Sequence, residues 1–215
     1  MAAVHSRGAL LCALKTRPGE VDFLEIRVDN FATDPAGLLA AVPKLRVPLI
    51  VTVRHPAEGG ANHLSVARRR ALYEQFLPYA ALIDVELRSL DPLAEVVAAA
   101  RRAGVKIIAS AHHFHSTPPE AALQQAIRRA HAAGADICKL AALAETPAAL
   151  ARLLGPLGRQ QPLPLSIMGM GRFGKISRLL FAQAGSILNY GYLDRPNASG
   201  QWEARVLKQR LAELA

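Results

Sequence analysis

Lys139 lies in Gly134-Ala135-Asp136-Ile137-Cys138-Lys139-Leu140-Ala141, a run that otherwise reads as an interior strand of a parallel sheet. An unpaired ammonium is costly in such a strand. The side chain therefore either snorkels from a strand end to water or does chemistry, because a desolvated, neutral amine can attack a carbonyl. Other reactive types recur at the ends of apolar runs. Glu25, Arg27 and Asp29 alternate, as do Asp84 and Glu86. Thr52 and Arg54 precede Glu58 and the turn Gly59-Gly60, Ser110 and His112 close another run, and Met168-Gly169-Met170-Gly171 leads out of a third. Each alone reads equally well as an ion pair or a packing contact. Six run ends agreeing point to one site.

The elements that would hold these residues alternate apolar strands with helical patterns at a steady spacing, the sign of repeated β-α units. Strands are expected at 9–14, 23–28, 48–53, 82–87, 105–110, 135–140, 163–167 and 186–190. Eight such strands close a (β/α)8 TIM barrel, in which reactive groups gather at the carboxyl ends of the strands. Asp34-Pro35, Asp91-Pro92 and Thr117-Pro118-Pro119-Glu120 read as helix starts. Leu123, Ala126, Ile127 and Ala130 fall on one helix face before Gly134, and Leu93, Val96, Val97 and Ala100 on another before Gly104. With no linker-like stretch, residues 1–215 form a single α/β domain.

Composition narrows the function classes. The 215 residues are 51% hydrophobic, with mean hydropathy +0.16, a globular balance rather than a disordered one. No window offers about 18 uninterrupted apolar residues, so no membrane span is expected. Met1 to Gly8 lacks the apolar core of a signal peptide. Cys12 and Cys138 both lie in strand-like sequence and suit buried thiols in a reducing, cytoplasmic setting. The net charge of +9 would suit nucleic acid. Arginines such as those of Arg68-Arg69-Arg70, however, read as polar helix faces, and 5% aromatic residues are too sparse to stack bases. A small anionic substrate steered by a basic surface fits better.

From Glu25 to Gln201, in order, the chain resembles the type I 3-dehydroquinate dehydratases (dehydroquinases) of the shikimate pathway. The resemblance rests on Glu25-x-Arg27-x-Asp29, on Thr52-x-Arg54 followed by Glu58-Gly59-Gly60, and on Asp84-Val85-Glu86-Leu87. It continues through Ile107-Ile108-Ala109-Ser110-Ala111-His112, Lys139, Met170-Gly171-x-x-Gly174-x-x-Ser177-Arg178 and Ala198-Ser199-Gly200-Gln201. It implies dehydration of 3-dehydroquinate to 3-dehydroshikimate with no metal and no cofactor, through an imine on Lys139. His112 would be the general base and acid, and Glu58 its orienting partner. Arg178 and Gln201 would anchor substrate, while Glu25, Arg27 and Arg54 would hold ring hydroxyls. Met168 and Met170 would cover the ring, and the working form would be a homodimer. Alternatives are another lysine-imine barrel, such as a class I aldolase, or a barrel that only binds a metabolite. The chain departs from the family pattern at Ala111, Asn197 and Ser199, and its amino end looks short of a floor hairpin. His113 stands where an aspartate or asparagine is usual, so His112 is expected to lose one orienting hydrogen bond.

Overall fold

The computed structural model describes residues 1–214. In chain order the elements are β1 (Ala2–Val4), α1 (Arg7–Lys15), β2 (Leu24–Arg27), α2 (Pro35–Ala41), β3 (Leu49–Thr52), α3 (Val66–Phe76), β4 (Ala80–Glu86) and α4 (Ala94–Arg102). There follow β5 (Lys106–His113), α5 (Glu120–Ala132), β6 (Ile137–Leu143), α6 (Pro147–Leu154), β7 (Leu165–Met170), α7 (Gly174–Gln183), β8 (Gly191–Tyr192) and α8 (Ala204–Glu213). The strands pair in parallel in the order β7-β6-β5-β4-β3-β2-β1-β8 and curl into the expected (β/α)8 barrel. Its two edges meet through residues 186–188: Ile187 N–H donates to the Leu165 carbonyl at 2.9 Å, and Ser166 Oγ to that of Leu188 at 3.1 Å.

Side chains alternate across each strand, so the interior climbs two residues per layer. Ile50, Leu82, Ile108 and Ile137 belong to an apolar floor that Met1, Phe23 and Leu188 extend. One layer up stand Thr52, Asp84, Ser110 and Lys139, and above them Arg54, Glu86, His112 and Ala141. The opposite faces carry Ile26, Val51, Val53, Ile83 and Val85, buried under Leu38, Leu72, Phe76 and Val96 of the helices. Tyr73 of α3 reaches in to donate to the Asp84 carbonyl at 2.6 Å, fixing β4 at the level of the polar layer.

Five local expectations need correction. Residues 9–14 are helical: Ser6 caps α1 by accepting from Ala9 N–H at 3.0 Å, and Ala9 and Ala13, four apart, are its buried stripe, so Cys12 lies in a helix. The first strand is Ala2–Val4, ahead of every run expected to be a strand. Residues 186–190 close the barrel partly through side chains, and the ladder proper resumes only at Gly191–Tyr192. Two expected caps also fail. The α4 helix starts at Ala94 with no side-chain cap, and Thr117 Oγ1 donates to the Leu143 carbonyl instead of capping α5. Asp34 does cap α2, accepting from Gly37 N–H at 3.0 Å.

Candidate active site

Lys139 is the third residue of β6 rather than its last, and at 3% exposure it does not snorkel. Its Nζ donates to Asp84 Oδ2 at 2.8 Å and to Glu25 Oε1 at 3.4 Å, and lies 3.9 Å from the centroid of the Tyr190 ring. Asp84 is shared: Arg54 grips it with both terminal nitrogens at 2.9 Å, and Ser110 Oγ donates to it at 2.6 Å. Burial works against charge here, yet Arg54 and Lys139 outweigh it and hold Asp84 well below the usual carboxylate range. Asp84 and Glu86 likewise overcome burial to keep Arg54 firmly charged. A buried network of this kind is stable only while every charge keeps its partner.

Glu58 and His112 form a second group. The turn Pro56–Glu58 follows β3, and Asp29 fixes its roots by accepting from Arg54 N–H at 3.1 Å and Ala61 N–H at 3.0 Å. At Gly60 any Cβ would collide with the Arg54 carbonyl, so the turn needs glycine there to fold back. Glu58 Oε2 accepts from His112 N–H at 3.0 Å and meets His112 Nδ1 at 3.0 Å, which leaves Nε2 as the free basic nitrogen. Burial, then the charge of Glu86, pushes the Glu58 carboxyl up to about 7. Burial, then the cations Arg54 and Lys139, push His112 well below its ordinary value, so the ring is neutral at neutral pH. His113 alternates with His112 along β5 and lines a neighbouring groove with Gln125 and Arg129. The side-chain contact that orients His112 is the one from Glu58.

Both groups face one open pocket of about 620 Å³, which is lined by all ten residues assigned a catalytic or substrate-binding role from the sequence. Arg178 at its wall donates to the carbonyls of Tyr190, Gly169, Gly174 and Gly200 at 2.6–2.9 Å. Among the described residues it has no carboxylate partner, and burial alone draws it down to about 10. A buried cation with no counter-ion is prepared for an anion. Gln201 Oε1 accepts from Asn197 N–H at 2.9 Å, tightening the loop over the pocket and leaving its amide nitrogen for a ligand. Arg27 is pinned by Asp29 and the Gly59 carbonyl, and Met168 and Met170 supply the apolar wall.

Tyr190 and Phe114 were not singled out in the sequence, and Asp84, named there among the strand carboxylates, was given no role of its own. Asp84 was legible as a carboxylate two residues before Glu86 in an apolar strand; Tyr190, in the irregular closing segment, carries no periodic signal. Phe114 stacks near His112 with ring centroids 6.3 Å apart. Among the described residues no cluster of three or more His, Cys, Asp or Glu could hold a metal, and no helix is long and apolar enough to cross a membrane.

Comparison with known proteins agrees with this geometry. The family model described as Type I 3-dehydroquinase matches residues 5–215. A 3-dehydroquinate dehydratase of Hydrogenobaculum sp. (strain Y04AAS1) is 35% identical over 192 residues, 87% of this chain and 85% of that protein. The crystal structure of 3-dehydroquinate dehydratase from Geobacillus kaustophilus superposes with a TM-score of 0.87 at 29% identity, covering 99% of this chain and 89% of that one. A type I 3-dehydroquinate dehydratase from Clostridium difficile, solved with covalently modified comenic acid, gives 0.86 at 25% identity, covering 99% and 91%.

Proposed function

The chain belongs to the type I 3-dehydroquinase family, and from that premise we propose that it dehydrates 3-dehydroquinate to 3-dehydroshikimate and water, in the shikimate pathway, through an imine on Lys139. The observation that carries this reading is a buried lysine, held by Asp84 and Glu25, facing the same pocket as the neutral histidine of a Glu58–His112 pair. Lys139 Nζ bonds to the ketone carbon, and the ketone oxygen leaves as water. The iminium nitrogen then draws electrons from the adjacent carbon. His112 Nε2 takes the proton released there and returns it to the departing hydroxyl, so one water leaves and the base is restored. Hydrolysis of the imine consumes a second water and frees Lys139.

Arg178 pairs with the substrate carboxylate, while Glu25, Arg27, Arg54 and the Gln201 amide hold ring hydroxyls. Met168 and Met170 cover the ring. The same reading makes the working form a cytoplasmic homodimer, which sedimentation would test. Borohydride added during turnover is expected to fix the substrate skeleton on Lys139, located by peptide mass, with Lys139→Ala losing both trapping and turnover. Turnover without trapping would sink the imine route. Thermal stabilisation by 3-dehydroquinate with no turnover would make the protein a binder.

A further inference from the structure

Arg69 sits on α3, outside the barrel, yet it is 1% exposed. Its side chain reaches over the carboxyl ends of β3 and β4. Nε donates to the Val53 carbonyl at 2.8 Å, Nη1 to Ser89 Oγ at 2.9 Å, and Nη2 to Glu86 Oε2 at 2.5 Å. The other oxygen of Glu86 accepts from Arg54 Nη1 at 3.1 Å and from His55 N–H at 2.8 Å. One carboxylate thus ties α3 to the arginine that grips Asp84 and to the residue that starts the Glu58 turn. The charges also balance: Glu25, Asp84 and Glu86 face Arg54, Arg69 and Lys139, three against three.

We infer that Arg69 is a positioning residue for the reaction, acting through Glu86 to set the place of Arg54 and of the turn that carries Glu58. The inference rests on the dehydratase reading above. Without the Arg69 guanidinium, Glu86 is left with Arg54, which it already shares with Asp84, as its one cationic partner, and the buried cluster carries one excess negative charge. Glu86 is the charge that most raises Glu58, so the carboxyl would hold its proton to higher pH. Arg54 would relax from Asp84 and with it the seat of Lys139. Anchoring through Arg178 lies across the pocket and would be untouched.

The test compares Arg69→Met, Arg69→Lys and the neutral pair Arg69→Met with Glu86→Gln, assayed on 3-dehydroquinate from pH 5 to 9 beside wild type. Arg69→Met is expected to lower kcat about tenfold or more with KM within about threefold, and to move the ascending limb of kcat up by about half a pH unit or more, because that limb reports proton loss from the coupled pair. Arg69→Lys restores the charge and returns the limb. The neutral pair deletes the Glu86 charge and moves the limb below that of wild type, an outcome readable even if Arg69→Met alone does not fold. A limb fixed in every variant, with only kcat or melting temperature reduced, would reduce Arg69 to a structural contact. Wild type that neither turns over nor traps substrate would instead refute the dehydratase reading.

Discussion

Replacing Glu58 by glutamine is expected to make the protein more stable and inactive, and the gain should appear only as pH rises. Glu58 is held at about 7 against an ordinary 4.5, first by burial and then by the charge of Glu86. Its folded form therefore binds a proton that the unfolded chain has already lost, so this group stabilises the fold below about 4.5 and loses that contribution as pH rises toward 7. At about 1.36 kcal/mol per pH unit, the interval from 4.5 to about 7 amounts to about 3 kcal/mol. The side chain is 10% exposed, so solvent screening removes little of it. Glutamine matches the protonated acid in shape and charge. Its carbonyl oxygen can still accept from His112 N–H, the contact that Glu58 Oε2 makes at 3.0 Å.

Denaturant unfolding of both proteins at pH 4.5 and pH 8 would measure the difference. Glu58→Gln should match wild type at the lower pH and exceed it by about 3 kcal/mol at the higher, or roughly 6–12 °C in Tm for a chain of this size. Over the same range kcat should fall by about 10²- to 10⁴-fold, because His112 loses the carboxylate that stabilises its protonated form. A variant less stable at both pH values, or a gain independent of pH, would refute the argument that Glu58 is a strained carboxylate kept for catalysis.

Lys139→Met should abolish turnover and also destabilise the fold by about 3–5 kcal/mol, because Asp84 and Glu25 would then share Arg54 alone; a raised Tm would contradict the paired cluster. Tyr190→Phe removes a buried hydroxyl with no partner among the described residues and keeps the ring over Lys139, so stability should rise by about 1 kcal/mol. A fall in Tm would show that the hydroxyl is satisfied, for instance by a bound water. Arg178→Lys should raise KM about 10- to 100-fold for 3-dehydroquinate while leaving the affinity of an analogue without the carboxylate unchanged. Equal losses for both ligands would take the carboxylate contact away from Arg178.

What could be read in the sequence follows from which signals are local. A carboxylate at every second position of an apolar strand can face only one way, so Glu25, Asp84 and Glu86 were legible, and the same alternation would have turned His113 away from the site. The helix over residues 7–15 was hidden because Ala-Leu-Leu-Cys-Ala-Leu is apolar enough for a buried strand; only the capping Ser6 and the spacing of Ala9 from Ala13 separate the two. Arg69 looked like part of a solvated triplet. Yet Leu72, Tyr73 and Phe76 stand three, four and seven residues beyond it, which places Arg69 on the buried stripe of α3. Ionic partners from four strands and a helix are a property of closure, and no single window holds them.

The ion pairs around Lys139 at first look like an obstacle, since an ammonium gripped by Asp84 and Glu25 is no nucleophile. Over the whole of the proposed imine step, however, ammonium and ketone would give iminium and water, and the nitrogen would carry one positive charge at both ends. The carboxylates that hold the resting lysine are therefore matched to the intermediate, and the buried cluster keeps its balance while only neutral water departs. Charge moves in the next step. On the proposed route, proton loss would turn the iminium into a neutral enamine and His112 into a cation. Lys139 is one of the charges that hold His112 below its ordinary value. As that charge vanishes His112 becomes a stronger base, at the moment it accepts the proton, and Glu58 at Nδ1 receives the new charge. On that route a histidine too weak in the resting site would be raised by the reaction it serves. Replacing Asp84 by asparagine tests this directly: with less negative charge beside the nitrogen the iminium is less stable, so borohydride trapping should fall more than substrate affinity.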